Sequence, residues 1–301
     1  NSPAGDGCGG GVWCESAEAV LSNCIVVANH ASTFGGGVYG GLLRSCVLAA
    51  NVASNAGGGA AASRLVNCSV LGNSALQGGG TISATNLNTI LYYNAATNGA
   101  NYLDSALDYC CAAPSAPGIG NITSPPRVCS HAWPTLFEDS PCRDAGSAEP
   151  WMHDAGDFDG DPRLDGLPDI GADEYVSGAQ TGSLTVAIVD AGPQVNTFVP
   201  VTFRGQFTGK VRGFHWDMGA GPTAVDQLLV AQTYNATGTW RVLLIASNDQ
   251  MVVTGALDVV VVPGGRLRWA GNATNVQWKT GQVSNWYDTV TSQSCAFAQG
   301  D

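Results

Sequence analysis

The chain has 301 residues, of which 40 are Gly, 45% are hydrophobic and only 12% are charged. Charge is about half the usual quarter, yet the apolar content is far above that of a disordered chain. A net charge of −12 with twelve basic residues and no Lys/Arg cluster excludes nucleic acid and anionic membrane surfaces as partners. The longest apolar runs, such as Val259 to Val262, are far short of the about 20 residues of a membrane helix, so no membrane insertion is expected.

The chain opens on Asn1-Ser2-Pro3, with no Met and no charged start leading into an apolar stretch. It reads as a mature product or an internal piece of a longer precursor. Four segments then repeat. Leu21 to Asn29, Leu43 to Asn51, Leu65 to Asn73 and a looser Thr85 to Asn94 each follow a glycine triplet, at Gly9, Gly35, Gly57 and Gly78. Asn29, Asn51, Asn73 and Asn94 fall 22, 22 and 21 residues apart, and Cys24, Cys46 and Cys68 keep the same beat with Thr89 in fourth place. A period near 22 is too short for two helices and lacks the leucine-rich pattern, so it predicts one coil of a parallel β-solenoid per repeat. Coils stack about 4.8 Å apart. The Asn residues then form an inward ladder, and Cys24, Cys46 and Cys68 stack as small inward hydrophobes whose parallel side chains bridge poorly.

The other cysteines are Cys8, Cys14, Cys110, Cys111, Cys129, Cys142 and Cys295. Ten in all, with no C-x-x-C pair, suggest an oxidising compartment. Cys8 with Cys14 fits a short loop, and Cys110, Cys111, Cys129 and Cys142 could supply two more bridges. Cys295 is then left over or joined to another chain. Connectivity cannot be read from sequence.

The coil pattern over residues 9–100 resembles the right-handed parallel β-helix of polymorphic-outer-membrane-protein-like and pectate-lyase-like surface proteins. Residues 138–174 follow and hold twelve of the 24 acids. Ser140-Pro141-Cys142-Arg143-Asp144-Ala145-Gly146, Asp157-Phe158-Asp159-Gly160-Asp161-Pro162-Arg163 and Asp169-Ile170-Gly171-Ala172-Asp173-Glu174 resemble the closing segment of bacterial choice-of-anchor surface β-helix proteins. That resemblance implies export and display on a bacterial cell surface. From the residues alone, Asp157, Asp159, Asp161 and Asp165 occupy positions 1, 3, 5 and 9 of a loop, half of a calcium pattern. Position 6 is Pro162 and position 12 is Pro168. Calcium is the one cofactor this spacing raises. The favoured alternative is that these Asp residues cap turns, with Arg163 as an internal partner.

A short linker, Ser177 to Gly182, precedes alternating strands at Leu184 to Val189, Val201 to Phe207, Trp240 to Ile245 and Leu257 to Val262. Several short strands with turns between them predict a β-sandwich. Trp216-Asp217-Met218-Gly219 and Gln232-Thr233-Tyr234 through Trp240 resemble the polycystic-kidney-disease (PKD) immunoglobulin-like domain. That family uses Phe, Asp, His and Tyr where this chain has Met218, Ala220, Gln232 and Trp240. Trp216 is expected in the core. The tail, with Trp269, Trp278, Trp286 and Phe297, resembles the first turn of an autotransporter-associated β-strand repeat. One turn cannot bury its own apolar face, so those residues are candidates for an assembly interface.

Residues 9–97 hold only Glu15, Glu18, Arg44 and Arg64 as charged groups, so a carboxylate-based polysaccharide site finds no candidates there. His30, His131, His153 and His215 lack metal spacing, and no nucleophile, phosphate-loop or zinc motif occurs. No enzyme is expected. Four N-x-S/T sequons begin at Asn67, Asn121, Asn235 and Asn272, and most are read as chance matches. The expectation is an all-β protein in three parts: a parallel β-helix with its acidic segment over 1–176, a PKD-like domain over 183–263 and a Trp-rich β-tail over 264–301. Its expected role is an extracellular or bacterial cell-surface structural protein, self-associating head to tail into a homopolymer. The alternative is an adhesion or carbohydrate-binding module with a glycan or cell-surface ligand, using Tyr92, Tyr93 and Trp286.

Overall fold

The structure is a computed structural model that describes residues 7–164, 166–178, 180–189, 194–219, 224–225, 227–263, 267–269, 286–288 and 293–295, with backbone alone for 224–225 and the last three stretches. Asp165, Trp278 and Phe297 lie outside the described residues, as do the side chains of Trp269, Trp286 and Cys295.

Five coils of parallel strands make the first part. The first carries β1 (Val12–Trp13), β2 (Val20–Ser22), β3 (Ile25–Val27) and β4 (His30–Ala31). The second carries β5 (Val38–Tyr39), β6 (Leu42–Arg44), β7 (Val47–Ala49) and β8 (Val52–Ala56). The third carries β9 (Ala60–Ala61), β10 (Arg64–Val66), β11 (Ser69–Leu71) and β12 (Ser74–Gln77). The fourth carries β13 (Thr81–Ile82), β14 (Thr85–Leu87) and β15 (Ile90–Tyr92), and the fifth β16 (Tyr102–Leu103), β17 (Ala106–Asp108) and β18 (Cys111–Ala112). Equivalent strands stack into four parallel sheets: β1-β5-β9-β13-β16, β2-β6-β10-β14-β17, β3-β7-β11-β15-β18 and β4-β8-β12. The fifth coil was not among the four repeats legible in the sequence. Its Gly99-Ala100-Asn101 occupies the triplet position, as the backbone bonds from Gly78, Gly79 and Gly80 to Asn98, Gly99 and Ala100 show.

Register turns the repeat into a core. Leu21, Leu43, Leu65, Asn86 and Leu107 stack in one sheet. Val26, Leu48, Val70, Leu91 and Ala112 face them from the next. Between these sheets the chain turns through a left-handed residue in every coil: Asn23, Ser45, Asn67, Asn88 and Tyr109, with φ of 52, 47, 48, 49 and 48°. Asn tolerates this region better than most side chains. The glycine triplets solve a different problem. A Cβ on Gly58 would sit 2.4 Å from the carbonyl oxygens of both Gly79 and Ser74, so that position admits no side chain.

The outer face of the third sheet is also buried, because residues beyond β18 fold back over it. Leu71, Ile90 and Cys111 pack there against Leu136, Cys142 and Ile170. This is why β7 and β11 are buried at every position; β7 reads as a continuous apolar run, while β11 carries Ser69, whose Oγ accepts from Ala172 N–H of the covering segment. The fold-back segment is irregular apart from one 3-10 turn, η1 (Pro150–Asp154).

The second part has β19 (Thr185–Val189), β20 (Gln194–Asn196), β21 (Pro200–Thr208), β22 (Gly213–Asp217), β23 (Ala224–Val225), β24 (Leu229–Thr233), β25 (Gly238–Ser247) and β26 (Val252–Val262). They form two sheets, β19-β21-β24 and β20-β26-β25-β22-β23. Trp216, Phe203, Val242 and Leu244 are fully buried between them. Trp216 donates its indole N–H to Gln227 O at 2.7 Å, which settles the polar edge of a buried ring. Tyr234 donates to Met218 O and stacks on Trp240. A third sheet, β27 (Leu267–Trp269), β28 (Trp286–Asp288) and β29 (Gln293–Cys295), is antiparallel and pairs Trp269 with Trp286 and Trp286 with Cys295. No helix among the described residues is long and apolar enough to cross a membrane.

Candidate functional sites

A hydrogen-bonded Asn ladder runs from coil to coil along the solenoid. Asn29 Nδ2 and N–H both donate to Asn51 Oδ1 at 3.0 Å. Asn51 does the same to Asn73, Asn73 to Asn94, and Asn94 to Asn101. Asn101 is the rung that the 22-residue beat does not announce. It stands in the third triplet position, where Gly80 lies so close to the ladder that its Cβ would meet Asn94 Nδ2 at 2.8 Å. With the triplet Asn in place of Gly, the ladder ends on Asn101, which donates to Ala113 O at 2.6 Å.

A thiol column runs parallel to it. Cys24, Cys46 and Cys68 donate to the carbonyls of Ser22, Arg44 and Val66, two residues back. Thr89 Oγ1 bonds Leu87 O in the same way, and Cys110 bonds Asp108 O. The spacing therefore placed Cys110 among bridge candidates, whereas its position is the fifth rung of the column. Burial pushes its thiol up to about 12 and the Cys68 thiol up as well. Cys111 and Cys142 are buried together under the fold-back segment, and the contact with Cys111 together with burial pushes the Cys142 thiol up. Cys14 is half-buried, Cys8 lies beside Thr33 Oγ1 at 3.4 Å, and Cys129 donates to Arg212 O. Among the described residues no disulfide is formed.

The first coil is the most exposed rung of the stack. Leu21 and Cys24 are half-buried there, while Leu43, Leu65, Cys46 and Cys68 are fully buried. Val20 is 52% exposed. Strands β1 to β4 each have a sheet neighbour on one side only among the described strands. The opposite end is covered differently. Ile122 bonds Cys110 O and Ala112 N–H, and Asn121 accepts from Cys110 N–H and donates to Leu107 O.

The acidic segment is an interlocked set of turns. Asp157 Oδ1 accepts from the N–H groups of Asp159, Gly160 and Asp161, and Oδ2 from Glu174 N–H. Arg163 is fully buried and donates to the carbonyls of Asp169, Gly171, Ala172 and Asp173, with Glu174 Oε2 at 3.2 Å. Asp169 accepts from Asp144 and Tyr175 N–H, and Asp173 from Leu136 N–H. Burial raises Asp159 to about 7 and Asp169 to about 6, and pushes Asp173 up as well. The segment docks through the left-handed corners: Asn23, Asn67 and Asn88 donate to Asp157 O, Asp169 O and Ser147 O at 2.8, 3.0 and 2.8 Å. Asp157, Asp159 and Asp161 each bring an oxygen within 4.8 Å of the others. Lys210, from the loop after β21, reaches this cluster and ion-pairs with both Asp159 and Asp161.

On the solenoid flank, Tyr93 is 46% exposed, stacks on His131 at 4.8 Å and meets Tyr92 edge-on. Tyr93 and His131 line a cleft of about 550 Å3 shared with Leu228 and Leu229 of the sandwich.

These features define the class: an all-β protein in which a parallel β-solenoid of five coils is followed by a two-sheet sandwich. No family model matches the chain, and no curated protein matches it. Among solved structures it is similar to the PKD domain of an M14-like peptidase from a Thermoplasmatales archaeon, at 17% identity over 27% of this chain and 93% of that chain, with a TM-score of 0.22.

Proposed function

We propose that the protein is an extracellular or cell-surface structural protein of bacterial type that self-associates head to tail into a filament. The observation that carries this reading is the first coil, where Leu21 and Cys24 are half-buried although their stacked equivalents are fully buried. Four parallel strand edges stand open beside them among the described strands. Unpaired edges recruit further strands, and a heterologous contact that does not close propagates. The β-tail, with its antiparallel strands β27, β28 and β29, is the segment assigned to cover that edge by strand addition. The finer assignments, to choice-of-anchor surface proteins and to an autotransporter-type tail, belong to this same reading.

Negative-stain microscopy of the purified chain, with and without reductant, tests it. Filaments of uniform width are expected, shortened by reductant if Cys295 locks the joint. Monodisperse single particles in both conditions would sink the idea. One observation favours a second reading, an adhesion or glycan-binding module: the aromatic set Tyr92, Tyr93 and His131 beside a cleft. Sugar rings stack on such exposed faces. A glycan array that lights up, and loses signal on Tyr93→Ala, selects that reading.

A further inference from the structure

Where the acidic segment meets the sandwich there is a cavity of about 100 Å3 lined by Asp159, Asp161 and Asp173, with Glu138 and Gln180 at its walls. Only 3% of the Asp159 side chain is exposed, and among the described residues its Oδ1 has no hydrogen-bond partner. A buried, ionisable oxygen with no donor is costly. Among the described residues its counter-charge is Lys210 Nζ, at 3.6 Å, which also pairs with Asp161. Arg163 is committed to backbone carbonyls and Glu174, and Arg212, at the cavity rim, pairs with Asp249. The acids in and behind this cavity therefore outnumber the cations that serve them.

We infer that Asp159 and Asp161, with Asp173 lining the same cavity, form a binding site for a hard divalent cation of the calcium class, which displaces Lys210. The donor set is carboxylate oxygen alone, the chemistry that such ions take. Oxygens of Asp157, Asp159 and Asp161 lie within 4.8 Å of one another, so Asp159 and Asp161 can share one ion, and Asp173 lines the same cavity; calcium tolerates such an irregular set, whereas magnesium demands near-ideal octahedral geometry. The cavity leaves room for the remaining ligands to be water, each needing about 10–15 Å3 of such space. Asp157 organises the loop instead of binding the ion, because its Oδ1 already accepts three N–H bonds and its Oδ2 one. This differs from the loop pattern in the sequence: Asp173 arrives from the far end of the segment, and Asp157 becomes the frame. The inference stands whether or not the chain forms filaments.

The test is calorimetric titration of the full chain, stripped with chelator, using CaCl2, with MgCl2 as control. One calcium per chain is expected, bound more tightly than magnesium. Asp161→Asn should weaken calcium at least about tenfold, and Lys210→Met should tighten it about tenfold, the scale on which one close charge shifts a neighbour's equilibrium. Calcium should also raise the melting temperature of Lys210→Met more than that of the parent. Absence of binding by both the parent and folded Lys210→Met at millimolar calcium overturns the site and leaves Lys210 as its permanent counter-ion. Binding that neither substitution alters overturns it too, by placing the ion elsewhere. Asp159→Asn adds a third reading where it folds, and the outcome does not depend on it.

Discussion

Replacing Asn73 by Ala tests whether the ladder holds the solenoid together. Asn73 is fully buried. Its Oδ1 accepts from Asn51 N–H at 2.9 Å and from Asn51 Nδ2 at 3.0 Å. Its Nδ2 serves Leu48 O, Leu71 O and Asn94 Oδ1 at 2.9, 3.2 and 3.0 Å. Alanine removes both halves and leaves the Asn51 N–H facing an empty space. One orphaned buried donor costs about 1–3 kcal/mol, and each further lost bond about 0.5–1.5. Asn51 Nδ2 keeps its bond to Val26 O, which limits the loss, so the sum is about 4 kcal/mol, a large share of a typical folding free energy. Asn29→Ala is the internal control. Asn29 is the half-buried outermost rung, and its backbone N–H keeps Asn51 Oδ1 as acceptor after the change, so about 1 kcal/mol is expected. Urea unfolding followed by far-ultraviolet circular dichroism measures both. Equal costs for the two variants, or less than about 1.5 kcal/mol for Asn73→Ala, would refute the view that the ladder is a chain of mutually satisfied buried amides.

Gly58→Ala should abolish folding or cost more than about 4 kcal/mol, since its Cβ would meet two carbonyl oxygens at 2.4 Å; Gly213→Ala, with open space around it, should be neutral or stabilise by up to about 1 kcal/mol, and comparable melting temperatures for the two would contradict the packing described. Arg163→Met should cost about 3–5 kcal/mol, because it strands buried Glu174 and four carbonyls; a loss under about 1 kcal/mol in the same urea titration argues that water replaces the guanidinium. Burial holds Asp169 at about 6 in the folded chain, against about 3.9 unfolded. Its contribution is therefore fully present below pH 4 and is lost as pH rises through 6, so acidifying from pH 7 to 5 should add about 1 kcal/mol of stability. Asp169→Asn should remove that increment, and an unchanged pH slope would count against it. In the native state, Cys46, Cys68 and Cys110, all fully buried, should resist iodoacetamide while half-buried Cys14 reacts, which mass spectrometry of the alkylated peptides reads directly.

The coil was legible because every coil must solve one steric problem at the same place. No Cβ fits at Gly58, and an amide is needed beneath the next amide in the ladder. Those demands print Gly and Asn at a fixed beat. The fifth coil escaped because its solution is written in different letters. Asn101 takes the glycine position and the ladder position together, seven residues after Asn94 instead of about 22. Cys110 escaped for a related reason: Thr89 interrupts the thiol column, and a cysteine beyond the interruption reads as one more bridge candidate. The Asn at three of the left-handed corners, Asn23, Asn67 and Asn88, was visible only as part of the repeat. That Asn23, Asn67 and Asn88 also clamp the acidic segment depends on a contact between distant parts of the chain, which no local pattern encodes.

The acidic segment shows where spacing misleads. Alternate Asp residues suggested ligands converging on one ion, but the backbone reaches Asp157 first: three successive N–H groups close on its Oδ1. The same turn that uses up Asp157 aims Asp159 inward, where its Oδ1 lacks a donor. What completes the cavity is supplied from elsewhere. Asp173 is fixed by Leu136 N–H, and Lys210 comes from the sandwich. An amide ladder satisfied at every rung is a stable core, whereas a carboxylate cluster balanced by a single lysine is open to exchange of its counter-ion. The solenoid therefore supplies rigidity, and the junction with the sandwich is the place where solution conditions can act on the molecule.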